Sequence, residues 1–168
     1  MQWNFADTWD AVAAAVPDRA AVVHGERRVS WAEFERRSAA LAAALLDAGL
    51  GRQAKVGTYL YSRPEYLETY YAAFKASLVP FNVNYRYKAD ELHYLLENSS
   101  ARAIVYHAVF APLIAEVRGR LPKLGHLQYL SLRFTRLLIA LYLPMKIFIK
   151  RSQPLSWSSA LNVAIANM

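Results

Sequence analysis

The sequence predicts an α/β fold: a mostly parallel sheet with helices on both faces. Three observations carry this. Short apolar runs alternate along the chain with amphipathic stretches at helical spacing. The runs are separated by helical stretches of 9–18 residues, long enough to cross over between parallel strands. One run, Ala103-Ile104-Val105-Tyr106, is apolar at every position, as a strand covered on both faces must be.

The elements follow in order. Asp7 caps an opening helix over Thr8–Val16, with Trp9, Val12 and Val16 at helical spacing before Pro17 stops it. Ala21–His24 reads as a strand, turned at Gly25-Glu26, with Arg28-Val29-Ser30 pairing back as a hairpin. Ser30-Trp31-Ala32-Glu33 is a capping box opening a helix to Ala48. Phe34, Leu41, Leu45 and Ala48 share its apolar face, Glu33, Arg36 and Arg37 lie elsewhere, and Gly49 ends it. Lys55–Leu60 is a strand, and Pro64 suits the first turn of a helix reaching Ala76. Leu78–Val83 is the next strand. A short helix over Asp90–Glu97 then begins with acids, as its dipole prefers. The strand Ala103–Tyr106, a helix near Ala108–Arg118 and a last strand over Leu127–Leu132 complete the series.

At 168 residues the chain can bury one core of ordinary size, and over half of it is apolar. It has no cysteine, which excludes disulfide frameworks, thiolate metal sites and a cysteine nucleophile. The segment Met1–Asp7 has no basic stretch followed by an apolar run, so a cytoplasmic location is expected, peripheral to a membrane at most. The net charge of +7 is unevenly placed. Residues 1–116 hold 12 basic and 13 acidic residues, whereas 117–168 hold eight basic residues and no acid. An average chain would place about six acids in that last stretch. The near-neutral body argues against a nucleic-acid partner, and the two regions are read separately.

The chemistry-bearing residues form no catalytic constellation. Gly49-Leu50-Gly51 resembles a phosphate-binding turn but follows a helix, where a helix stop is expected. His24, His93, His107 and His126 are dispersed without metal-ligand spacing and read as surface or strand-end residues. Ser62, beside Arg63-Pro64-Glu65, is expected to cap the helix that Pro64 starts, not to act as a nucleophile. Glu65 and Glu68, one helical turn apart, read as like charges on a solvated face. The segment Pro80–Tyr87 is unusual: a buried strand ending in two asparagines, two tyrosines and an arginine. Such a cluster faces a ligand if it lies at the carboxyl end of a parallel strand, and otherwise closes turns and braces the next helix.

Several runs closely resemble bacterial fatty-acyl-CoA synthetases of the adenylate-forming superfamily. They are Pro64-Glu65-Tyr66-Leu67-Glu68, Ala72-Ala73-Phe74-Lys75-Ala76, Val79-Pro80, Asn82-Val83-Asn84-Tyr85-Arg86-Tyr87, Glu91-Leu92-His93-Tyr94-Leu95-Leu96 and Ala101–Tyr106. The opening from Phe5 through Trp31 to Leu46 is similar as well, so the likeness spans about residues 1–132. Ser77 stands where the family more often has Gly, Ala or Arg. The resemblance implies an incomplete amino-terminal subdomain of an AMP-forming ligase. The family activates a fatty acid with ATP and Mg²⁺ to an acyl-adenylate, then transfers it to coenzyme A. It does so with a Ser/Thr/Gly-rich Pro-Lys-Gly loop, later acidic and arginine motifs, and a lysine of a mobile carboxyl-terminal domain. None has a counterpart here, and no glycine follows Gly125. No catalytic, cofactor-binding or metal-ligating residue is carried over, and the chain is expected to be inactive alone.

Residues 133–168 do not resemble the family. Arg133–Lys150 is apolar and basic, broken by Pro144, and too interrupted for a membrane span. A foreign or frameshifted terminus explains the loss of acids and the end of the resemblance together. The alternative is a non-enzymatic scaffold held on an anionic membrane surface by this tail.

Overall fold

The structure, a computed structural model, describes residues 4–121 and 128–132. Helix α1 (Phe5–Ala15) leads into a two-stranded antiparallel hairpin, β1 (Ala20–His24) and β2 (Arg27–Ser30). Next come α2 (Trp31–Asp47), β3 (Lys55–Tyr59), α3 (Pro64–Lys75), β4 (Val79–Asn82), α4 (Ala89–Ser99), β5 (Ala103–His107), α5 (Ala111–Gly119) and β6 (Gln128–Leu132). The second sheet is fully parallel, in the order β4-β3-β5-β6.

Two apolar clusters sandwich this sheet. Leu41, Ala42 and Leu45 of α2 and Ala72, Ala73 and Ala76 beside them pack with Val56, Ala103 and Val105 on one face. Leu92 and Leu96 of α4 and Ile114 and Val117 of α5 pack with Tyr59, Ile104 and Tyr106 on the other. Successive β5 side chains thus enter opposite clusters, as the period of a strand requires, and all five β5 residues are buried. Gly57 in β3 is needed for contact: an added Cβ would lie 3.1 Å from Phe81 Cζ and 3.2 Å from Val83 Cγ2. A third cluster, with Trp9 and Phe34 packed on Tyr71, binds α1 and α2 to α3.

Helix ends explain how the strands start. Gly49, at φ +83°, donates to Leu46 O at 2.8 Å while Leu50 N donates to Leu45 O at 3.3 Å, a Schellman stop that turns the chain toward β3. Ser77 does the same after α3 at φ +55°, with Ser77 N on Phe74 O at 3.0 Å and Leu78 N on Ala73 O at 2.8 Å. That position favours glycine, and nothing in the structure explains the serine that stands there. Among the described residues β4 is an edge strand, and Pro80 suits that edge. Val79 and Val83 direct their amides at Ala54 O and Thr58 O, so the intervening residue faces outward, and proline there has no N–H to offer another strand.

Four expectations are corrected. Asn4, not Asp7, caps α1: Asn4 Oδ1 accepts from Ala6 N at 2.6 Å, and Asp7 returns the bond by accepting from Asn4 N at 2.7 Å. The capping residue of α3 is Arg63, not Ser62, because proline forces an extended residue immediately before it. Glu65 and Glu68 do not lie on a solvated face. Glu68 and Arg37 are each 4% exposed, since the hairpin and α2 close over this side of α3. Ser30 caps α2 by accepting from Glu33 N at 3.2 Å, while the Glu33 carboxylate approaches Arg37 Nη1 at 3.6 Å. His126 and the tail at 133–168 lie outside the described residues.

Candidate functional site at the carboxyl edge of the sheet

In an open parallel sheet, ligands collect where neighbouring strands send their chains to opposite faces. Here β3 continues into α3 on one face and its neighbour β5 continues into α5 on the other, so the gap between their carboxyl ends is that switch point. The residues around it are Tyr61 and Arg63 after β3, Asn82 at the end of β4 with Val83 to Tyr87 after it, and His107 at the end of β5 with Ala108 to Phe110 after it.

Aromatic rings line this edge. Tyr59 stacks on Phe110 with centroids 4.2 Å apart, and Tyr61 lies 5.1 Å from Phe110 and 5.3 Å from Tyr85. The Arg86 guanidinium sits 5.5 Å from the exposed Tyr85 ring. Asn84 closes the turn: its Oδ1 accepts from Arg86 N at 3.0 Å, and its carbonyl accepts from Tyr87 N at 2.9 Å. Tyr59 donates its hydroxyl to Tyr87 O at 2.8 Å, and Tyr66 reaches Asn82 Oδ1 at 3.3 Å. The turn-closing reading of Pro80–Tyr87 is therefore realised at Asn84, and the segment lies at the carboxyl edge of the sheet.

His107 ends β5 and is fully buried. Its Nδ1 accepts from Tyr61 N at 3.1 Å. Burial holds its pKa down at about 4, with Arg63 adding to the depression and Glu65 opposing it, so the ring is neutral near pH 7. The expectation of a strand-end residue holds for His107, but it lies inside the fold. His24 is exposed on the hairpin, and His93 contacts Arg120 O at 3.0 Å.

Glu65 and Glu68 do not form a free acid/base pair. Arg37 binds Glu68 through Nε at 2.8 Å and Nη2 at 2.9 Å, and Arg27 Nη1 binds Glu65 Oε1 at 2.7 Å. Burial pushes Glu68 above the ordinary carboxylate range against the pull of Arg37. At Glu65 burial is outweighed by Arg27 and Arg37, and the net shift is downward. The signal available in the sequence was an arginine, Arg37, on a helix whose other face is apolar. Gly49 and Gly51 sit at the opposite, amino edge of the sheet. Gly51 there helps line a cleft of about 250 Å³ with Arg52, Gln53 and Arg102. Strand polarity and crossover geometry both point away from that edge, toward the switch point.

Among the described residues no group of three or more His, Asp or Glu side chains could hold a metal ion. Among them, too, no helix is long and apolar enough to cross a membrane.

An open parallel sheet crossed over by helices on both faces defines an α/β protein of the doubly wound class. The comparisons sharpen this: residues 9–137 match the family described as AMP-binding enzyme, and the chain belongs to that family. It is similar to the medium-chain acyl-CoA ligase Mig of Mycobacterium avium, 44% identical over 127 residues that cover 68% of this chain and 23% of the relative. It is also similar to a medium/long-chain-fatty-acid–CoA/3-oxocholest-4-en-26-oate–CoA ligase of Mycobacterium tuberculosis, 36% identical over 125 residues covering 74% and 22%. Among solved structures, a benzoate CoA ligase from Burkholderia xenovorans superposes with a TM-score of 0.70 at 18% identity, covering 78% of this chain and 26% of that one. A Mycobacterium tuberculosis fatty acyl CoA synthetase gives 0.70 at 22% identity, covering 78% and 26%. These two likenesses show the fold. The chain spans under a quarter of the length of these curated relatives, and their being ligases gives the scaffold reading no support.

Proposed function

We propose that residues 1–132 are the amino-terminal portion of an AMP-forming fatty-acyl-CoA synthetase, and that the tail 133–168, of which the family match takes in only the first five residues, is a segment foreign to the family. In the whole enzyme a fatty acid carboxylate attacks ATP, pyrophosphate leaves, and the thiol of coenzyme A displaces AMP from the acyl-adenylate. Developing phosphate charge in such a step needs cationic and metal stabilisation. The Pro-Lys-Gly loop and the later acidic and arginine motifs of the family have no counterpart in this sequence, so we infer that this chain does not adenylate on its own. Its part is to build one wall of the ligand crevice. ATP and coenzyme A are cytoplasmic co-substrates, and we place the protein there.

The observation that carries the proposal is the 44% identity to the M. avium ligase over 127 residues, which include the switch-point turns. The test is a chimera in which residues 1–132 replace the aligned part of that ligase. Formation of medium-chain acyl-CoA supports the reading; a folded chimera that forms neither adenylate nor thioester contradicts it.

A further inference from the structure

We propose that His107 is a positioning residue for the reaction: its Nδ1 fixes the Tyr61–Arg63 loop at the mouth of the switch-point crevice, so that a ligand bound there meets a preset wall. This rests on the proposed function above. The loops that leave the switch point diverge, one to each face of the sheet, and strand pairing between β3 and β5 extends only as far as Tyr59 and Tyr106. Beyond that pair, the Tyr61 amide donates to the His107 ring at 3.1 Å and joins the two loops. The ring is fully buried, 5.4 Å from the Tyr61 ring and 6.4 Å from Phe110, which holds its plane.

Acceptance at Nδ1 requires the unprotonated nitrogen, and in a neutral imidazole this leaves the proton on Nε2. Burial keeps the ring neutral, so the acceptor is present throughout the physiological range. Packing alone would be served equally well by phenylalanine. The bond distinguishes the two roles, because an asparagine Oδ1 can replace Nδ1 as acceptor and a phenylalanine cannot.

The test compares wild type, His107→Asn and His107→Phe in two settings. In the purified chain, His107→Phe is expected to speed amide hydrogen exchange at Tyr61 about tenfold, the size of one lost neutral hydrogen bond. The Gly57 and Ile104 amides should keep their protection, and His107→Asn should stay close to wild type. In the chimeric ligase, His107→Phe is expected to raise KM for one of ATP, fatty acid or coenzyme A by about fivefold to tenfold with kcat little changed, and His107→Asn to restore it. Unchanged exchange at Tyr61 in His107→Phe overturns the proposal, as does His107→Asn being as impaired as His107→Phe. So does a lowered kcat at constant KM. An inactive wild-type chimera would instead count against the proposed function, and amide exchange in the purified chain would still decide the role of His107.

Discussion

The guanidinium of Arg37 grips the carboxylate of Glu68 at two points, Nε to Oε1 at 2.8 Å and Nη2 to Oε2 at 2.9 Å, with both side chains buried between α2 and α3. Desolvating two charges costs nearly as much as their attraction returns, but removing one partner strands the other. Arg37→Met is therefore expected to destabilise the fold by about 3–5 kcal/mol, and the double variant Arg37→Met/Glu68→Leu by clearly less than the sum of the single changes. Urea unfolding of the four proteins measures the coupling.

Gly57 sits under Phe81 and Val83, and the nearest atoms belong to a ring and a β-branched side chain that are themselves packed. Gly57→Ala is expected to cost about 1–3 kcal/mol through overpacking, despite the better intrinsic propensity of alanine. A thermal melt showing Gly57→Ala at or above wild type would remove the close-contact argument.

Ser77 adopts a left-handed conformation at the end of α3 with its two Schellman bonds in place. Ser77→Gly relieves that conformation without touching the bonds and is expected to stabilise by about 0.5–1 kcal/mol, which an increased urea midpoint at constant slope would show.

His107 gives a pH signature. Its folded pKa of about 4 lies below the ordinary 6.5, so between these values the unfolded chain binds the extra proton. Stability must then fall as pH drops through that window, by up to about 3 kcal/mol, and is fully present only above 6.5. Glu65, with its depressed pKa, adds a separate loss below the ordinary carboxylate range. Unfolding free energies at pH 7 and 4.5 should differ less in His107→Asn than in wild type.

The fold was legible because periodicity and helix stops are local. Gly49 ends α2, Pro64 opens α3, and the all-apolar Ala103–Tyr106 lies in the middle of the sheet. What escaped were relationships between distant segments. Glu65 and Glu68 look solvated along their own helix, and only the hairpin and α2, about 30 to 40 residues earlier, bury them beside Arg27 and Arg37. The partnership of His107 with Tyr61 spans 46 residues, and neither residue type announces the other. The resemblance named the family but transferred no site residue, since the family motifs it rests on for chemistry have no match in this chain.

We propose that residues 1–132 serve as the working amino-terminal wall of an acyl-CoA synthetase. ATP–pyrophosphate exchange with a medium-chain fatty acid tests it most directly, run on the purified 168-residue chain and on its chimera with the remainder of the M. avium ligase. Exchange by the chimera and none by the chain is the predicted result. Exchange by the chain alone, or none by a folded chimera, would contradict the account.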